Sequence, residues 1–274
     1  MSHHIVEARD LEYVYPDGTH AIKGVSFRIT HGESVAIVGA NGAGKSTLLL
    51  HLNGYLIPTK GTLRVGDYPL TKATLSAVRR SVGMVFEDPD DQLFMPTVFD
   101  DVAFGPLNLG LPPTEVEERV INAIETVAMS HLRDRPPYKL SAGEKCAVAI
   151  ASVLSMSPDI LVMDEPSSNL DPRARRRLIE LLKTFEHTKI IATHDLDMVV
   201  DLCDRTIVLH EGKVAADGPT EDLLRDEKLL ARCSLEKPLR MQGCPLCGKG
   251  AGPISLPARI LHEPSCNIRP KGSS

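Results

Sequence analysis

The sequence has no long apolar run. Stretches such as Ile160 to Met163 or Val98 to Phe99 fall far short of the roughly 18 residues of a bilayer-spanning helix, so any membrane role is expected to be peripheral. A basic excess is missing too. The formal net charge is −5, which speaks against bulk electrostatic capture of nucleic acid, a process that draws on surplus Lys and Arg. Met1-Ser2-His3-His4-Ile5 has neither a cationic start leading into an apolar stretch nor a small-residue cleavage site. No secretory leader is expected, and the expected compartment is the cytoplasm. The six cysteines lack the spacing of a secreted disulfide framework. Cys146, Cys203 and Cys233 stand apart, while Cys244, Cys247 and Cys266 crowd the end. There is no internal repeat and no heptad run.

What is present is enough for a large buried core: 274 residues, 42% of them hydrophobic. Short β-branched runs recur at Ser34 to Val38, Met84 to Phe86, Ile160 to Met163, Ile190 to Ala192 and Thr206 to Leu209. Amphipathic helical stretches lie between them, so the expected fold class is α/β with a mixed, mostly parallel sheet. Ile5 to Leu11 and Val25 to Thr30, joined by the turn Pro16-Asp17-Gly18, predict an antiparallel β subdomain at the start. Thr114-Glu115-Val116-Glu117 reads as a capping box. It opens a helix that buries Val116, Val120, Ala123, Ile124 and Val127 and leaves Glu118, Arg119 and Asn122 wet. A helical subdomain is expected over about 90–150. From Cys233 the pattern dissolves into Pro and Gly, which places a domain over 1–232 and a short C-terminal appendage over 233–274.

The chemistry starts at Gly39-Ala40-Asn41-Gly42-Ala43-Gly44-Lys45-Ser46, a glycine, four residues, then Gly-Lys-Ser. Glycines let backbone N–H groups turn inward around phosphates, Lys45 brings a cation toward the β and γ positions, and Ser46 offers an oxygen to Mg²⁺. The apolar strand before the loop and the helix-forming Leu48-Leu49-Leu50 after it are the context that this motif requires. Downstream, Ile160-Leu161-Val162-Met163 ends in Asp164-Glu165. Strand alternation is expected to send these two carboxylates to opposite sides, one for the metal and one for an attacking water. By itself such a pair is common at any strand exit. Leu140-Ser141-Ala142-Gly143-Glu144 holds a second capping box, Ser141 with Glu144. It marks a helix start whose free N–H groups suit an anion.

In this order the landmarks make the chain resemble the nucleotide-binding domain of ABC transporters over roughly residues 5–225. The resemblance implies a P-loop ATPase fold in which Tyr15 stacks on adenine, Gly39 to Thr47 grip the phosphates of ATP, and Leu140 to Glu144 form the signature motif. It implies Asp164 for Mg²⁺ and Glu165 for the hydrolytic water. Ser168-Asn169-Leu170-Asp171 would be the loop that communicates across the dimer, and His194 the histidine that contacts the γ-phosphate. Taken alone, His194 reads as a satisfied histidine at a strand end. The family pairs two copies head to tail, so each ATP lies between the phosphate loop of one and the signature of the other.

Two positions depart from the family pattern. Glu87 stands where glutamine normally follows the strand, lining the metal site, so a carboxylate replaces an amide there. Ala142 and Glu144 stand where Gly and Gln are commoner, while Ser141 and Gly143 are kept. The stretch Phe86 to Phe94 and its continuation Pro96 to Pro106 are similar to energy-coupling-factor ATPases, closest to the cobalt or nickel branch. That likeness implies uptake of cobalt first and nickel second, with a vitamin as the alternative cargo. The implied partners are a second ATPase subunit, expected to be an identical copy, a transmembrane coupling subunit and a substrate-binding membrane subunit, all met at the cytoplasmic face of the cell membrane. Leu93, Phe94 and Met95 would give the docking groove its apolar grip; for Phe94 a buried anchoring role reads equally well.

Cys244-Pro245-Leu246-Cys247 and His262-Glu263-Pro264-Ser265-Cys266 have the spacing of a Cys₃His zinc knuckle, Cys244, Cys247, His262 and Cys266 being the ligands. Incidental cysteines in a tail poor in apolar residues remain an equal alternative. Arg173 to Arg177, after Asp171-Pro172, read as a solvated helix face. A soluble ABC ATPase acting on DNA or the ribosome would need long coiled coils between Lys45 and Leu140, or a second cassette, and neither is present.

Overall fold

A computed structural model of the chain describes residues 6–242. Residues up to Leu239 form one compact unit. It opens with β1 (Val6–Val14) and β2 (His20–Ile29), the first of which runs three residues beyond the expected end at Leu11. Then come β3 (Ser34–Val38), α1 (Lys45–Leu52), β4 (Lys60–Val65), β5 (Tyr68–Pro69), α2 (Leu75–Ser81) and β6 (Val82–Val85). Three longer helices follow: α3 (Val98–Asn108), α4 (Pro113–Thr126) and α5 (Ala142–Leu154). The rest is β7 (Ile160–Asp164), α6 (Pro172–Thr184), β8 (Thr188–Ala192), α7 (Leu196–Leu202), β9 (Arg205–His210), β10 (Lys213–Pro219), α8 (Thr220–Arg225) and α9 (Glu227–Arg232).

The strands make two sheets, an antiparallel one in the order β2-β1-β4-β5 and a mixed one in the order β10-β9-β3-β8-β7-β6. In the second, β9, β3, β8, β7 and β6 are parallel and β10 pairs antiparallel at the edge. Burial explains the composition. β3, β7 and β8 are covered on both faces, so they read as unbroken apolar runs, whereas β2 alternates buried Val25, Phe27 and Ile29 with exposed Ser26 and Arg28. The shared core joins Leu11, Ile22 and Ile29 of the first sheet to Val35, Ile37, Ile160 and Ile190 of the second through Leu48, Leu49 and Leu52 of α1.

The parallel order puts the ends of β3, β6, β7 and β8 on one edge. The loops that leave them carry Gly39, Glu87, Glu165 and His194. This is the edge where open α/β sheets bind ligands.

α4 starts two residues earlier than the sequence predicts. Its N-cap is Pro112, with Pro113 at the first helical position and no side-chain cap, so Thr114 lies inside the helix and the expected capping box does not form. Proline presets the helical φ and has no N–H to satisfy, which makes it a competent start without help from Thr114. The apolar stripe holds: Val116, Val120, Ala123, Ile124 and Val127 are buried.

Candidate functional site

Backbone shapes the phosphate loop before side chains enter. A Cβ on Gly39 would stand 2.5 Å from the Leu209 carbonyl oxygen. Gly44 takes φ +103, and a Cβ there would lie 2.8 Å from the Ala21 carbonyl oxygen, so neither position admits a side chain. Gly42 has φ +78 in open space, a conformation rather than a fit that favours glycine. Gly44 is also the N-cap of α1, whose start has no side-chain cap. The first-turn N–H groups of Lys45, Ser46 and Thr47 and the positive end of the helix dipole thus form an anion cradle. Asn41 is exposed on the rim and Ala43 is buried beneath it.

Lys45 is buried. Its Nζ donates to the Gly39 carbonyl at 3.0 Å and stands 3.5 Å from Glu165 Oε1. Strand alternation does not set the acidic pair as expected. Glu165 leaves β7 at φ +43, a left-handed conformation that costs a residue with a Cβ on the order of 1 kcal/mol or more. Its N–H is tied to the Ala192 carbonyl at 2.8 Å. That turn brings both carboxylates to the loop, Asp164 against the Ser46 hydroxyl and Glu165 against Lys45.

Burial pushes the Asp164 carboxyl up; the Ser46 hydroxyl and Lys45 oppose this, and the charges of Glu165 and Glu87 add to it. Asp164 Oδ1 is buried without a hydrogen-bond partner among the described residues. A desolvated carboxylate with an orphaned oxygen, beside a serine hydroxyl and among further acids, is a donor set of the hard oxygen type that suits Mg²⁺. Exposed Glu87 belongs to the same field.

His194 closes the group. Its backbone N–H and its Nδ1 both donate to Glu165 Oε2, at 3.1 and 2.8 Å. Nδ1 is the ring nitrogen turned to the carboxylate, so Nε2 is turned away from Glu165, on a side chain that is 64% exposed. Tyr15 joins from just past the end of β1, its hydroxyl 3.0 Å from Thr47 Oγ1.

Ser141, Gly143 and Glu144 form a second cluster, at the start of α5. Glu144 Oε2 accepts from the Ser141 N–H at 2.7 Å and from its hydroxyl at 2.8 Å, while Ser141 Oγ accepts from the Glu144 N–H, so the expected capping box is complete. Those donors hold the Glu144 carboxyl below the usual carboxylate range. Gly143 has a packing reason as well: a Cβ on it would meet the Ala174 Cβ of α6 at 2.8 Å.

Three connections had no sequence signal that singled them out. Arg175 is not part of a solvated face, because it grips Asp195, the residue after His194, with Nη2 to Oδ1 at 2.8 Å. Gln92 donates to the Ala149 carbonyl at 2.8 Å and the Ser152 hydroxyl at 2.9 Å, and Lys145 pairs with Asp90, so the segment after β6 is fastened to α5. Leu93 is buried, leaving exposed Phe94, edge-on to Phe104, as the apolar surface of that segment. The zinc ligands Cys244, Cys247, His262 and Cys266 lie outside the described residues.

The sequence profile of the ABC transporter family matches residues 22–168. The chain belongs to this family. An ABC transporter ATP-binding protein of Geobacter sulfurreducens is 70% identical over 249 residues, covering 91% of this chain and all of that one. The energy-coupling factor transporter ATP-binding protein EcfA of Methanocaldococcus jannaschii is 45% identical over 240 residues, 86% of each chain. Among solved structures, cbiO1 of Clostridium perfringens, described as part of the ABC transporter complex cbiONQ, aligns with a TM-score of 0.74 at 41% identity over 84% of this chain and 94% of its own. A dimeric ATP-binding cassette bound to ADP and phosphate aligns with a TM-score of 0.71 at 26% identity, covering 78% of this chain and 98% of that one. The fold is that of the P-loop ABC ATPases, and this ABC chain is an ATPase. Among the described residues no helix is long and apolar enough to cross a membrane.

Proposed function

We propose that two copies of this chain sandwich ATP and drive an energy-coupling-factor importer from the cytoplasmic face of the membrane, with cobalt as first cargo and nickel as second. The observation that carries the ATPase half is the convergence of Lys45, Asp164, Glu165 and His194 on the phosphate loop, while Ser141 caps a separate helix of the same chain. A site so divided is completed by a second copy, and the solved cassette dimer with ADP and phosphate supports that pairing. The importer half is supported by likeness to EcfA and cbiO1 and by the segments Phe86 to Phe94 and Pro96 to Pro106. A nucleotide-binding domain over 1–232 followed by a tail belongs to the same proposal.

In this scheme Tyr15 supports adenine, the Gly39–Thr47 N–H groups and Lys45 hold the phosphates, and Ser141 of the partner subunit meets the γ-phosphate with its helix start. Ser46, Asp164 and Glu87 would hold Mg²⁺, which would supply charge neutralisation of the phosphates when bound. Glu165 accepts a proton from the attacking water. The Nδ1–H of His194 fixes the Glu165 carboxylate, and donation from the same ring to the γ-phosphate requires a second proton, on Nε2. Because γ-phosphate contacts exist only in the closed pair, ATP closes it and hydrolysis releases it.

Mixing tests the shared site. Lys45→Ala and Ser141→Ala chains should each be inactive, and their mixture should regain turnover, since one site of the mixed pair keeps Lys45 from one chain and Ser141 from the other. A mixture as inactive as its components overturns the sandwich. Co-purification from membranes, with uptake of labelled cobalt, nickel and vitamins, tests the importer and its cargo.

A further inference from the structure

Four side chains close a circuit between the first sheet and the phosphate-loop helix. Tyr13 and Tyr15, two residues apart at the end of β1, meet edge to face with centroids 4.9 Å apart at 85°. Tyr13 meets His51 in the same manner at 4.8 Å and 78°. His51, one turn below Thr47 on α1, uses Nδ1 to donate to the Thr47 carbonyl at 2.7 Å. Thr47 returns the circuit to Tyr15 through the two hydroxyls, 3.0 Å apart. His51 is fully buried, and its Nε2 has no hydrogen-bond partner among the described residues.

An orphaned polar atom in a core is a cost that a leucine at this position would not carry. What the imidazole supplies in return is direction. The Nδ1 bond fixes the ring against the helix backbone, and a ring so fixed presents a defined partner to Tyr13, since aromatic pairs favour the positive edge of one ring against the negative face of the other. Burial also pushes the His51 pKa down, with the bond to the Thr47 carbonyl opposing it. Tyr13 passes that orientation to Tyr15, and the Thr47 hydroxyl fixes the far end of the same ring.

We infer that Tyr13 and His51 are positioning residues that set the tilt of Tyr15 and thereby fix the spacing between a purine base and the triphosphate cradle. The inference rests on Tyr15 as the adenine support. It assigns the pair to recognition of the base and gives it no part in phosphate binding. Tyr13 and His51 do not touch nucleotide; they act through Tyr15.

The test uses the full chain and the variants His51→Leu, His51→Gln, Tyr13→Leu and Tyr15→Ala, with kcat and KM measured for ATP and affinity measured for inorganic tripolyphosphate, a probe without a base. Each Tyr13 or His51 variant that folds should raise the KM for ATP about threefold to tenfold, the range that an edge-to-face pair can carry. kcat and tripolyphosphate affinity should stay within about twofold of the parent, a change worth well under 1 kcal/mol. Added to Tyr15→Ala, the same substitutions should have no further effect on KM. A lowered melting temperature with unchanged KM overturns the inference and leaves the pair as core. An effect that persists in the Tyr15→Ala background, or appears equally with tripolyphosphate, overturns it too. If Tyr15→Ala itself leaves the KM for ATP unchanged, the adenine reading fails first and the inference falls with it.

Discussion

Glu165 takes two hydrogen bonds from His194 on a single carboxylate oxygen, one from the backbone N–H at 3.1 Å and one from Nδ1 at 2.8 Å, and leaves the other oxygen for Lys45. One acid is thereby held between the ammonium of Lys45 and a histidine from the loop after the neighbouring strand. The left-handed backbone of Glu165 is the local cost of that arrangement.

Replacing Glu165 by Gln keeps the size and most of the contacts but removes the proton acceptor. ATP binding should persist while turnover falls by about 10² to 10⁴, the usual worth of a general base. Phosphate release measured beside nucleotide binding checks this; near-normal release would remove Glu165 from the role.

Glu87→Gln restores the amide common in the family. The variant should shift the Mg²⁺ concentration needed for half-maximal hydrolysis, because Glu87 contributes negative charge at Asp164. Superimposable titration curves for the two proteins would show that this carboxylate has no part in the metal site.

Burial raises the Asp195 carboxyl, but Arg175, the Met198 N–H, the charge of Arg175 and the Ser167 hydroxyl together outweigh it and hold the group below its ordinary value. A depressed carboxylate stabilises the fold above its unfolded pKa, and that contribution is lost as pH falls through the folded value. Asp195→Asn should therefore cost about 1 to 2 kcal/mol at neutral pH, allowing for partial solvent screening. The gap to the parent should narrow below about pH 4, near the unfolded value. Thermal melts across pH 3 to 7 read the difference; a gap independent of pH would mean that the Asp195 charge is not what stabilises.

Gly143→Ala adds a methyl group that meets Ala174 at 2.8 Å. Overpacking of this kind costs about 1 to 3 kcal/mol, partly offset by the better helix propensity of alanine. The double variant Gly143→Ala with Ala174→Gly should recover stability in denaturant titrations. Failure to recover would place the strain elsewhere.

Much of this was legible in the residues. The glycine pattern before Lys45, the acids after β7 and the Ser141 and Glu144 box each depend on local spacing, and local spacing survives folding. What the residues hid depended on register and direction. Asp164 and Glu165 converge because Glu165 turns left-handed, which strand alternation does not anticipate. Thr114 lost its capping role to Pro112, two positions earlier. Arg175 sits in a run of like charges whose neighbours face water, and only the approach of β8 supplies Asp195. His51 and Tyr13 look like ordinary core residues until two sheets bring them together.

α5 and α6 approach closely at Gly143 and Ala174, where a Cβ added to the glycine would stand 2.8 Å from that of the alanine. Two residues before Gly143 is the helix start bearing Ser141, and next to Ala174 is Arg175, which reaches the aspartate beside His194. The first turn of α6 thus borders two neighbourhoods at once, the helix start that bears Ser141 and, through Arg175, the loop that bears His194.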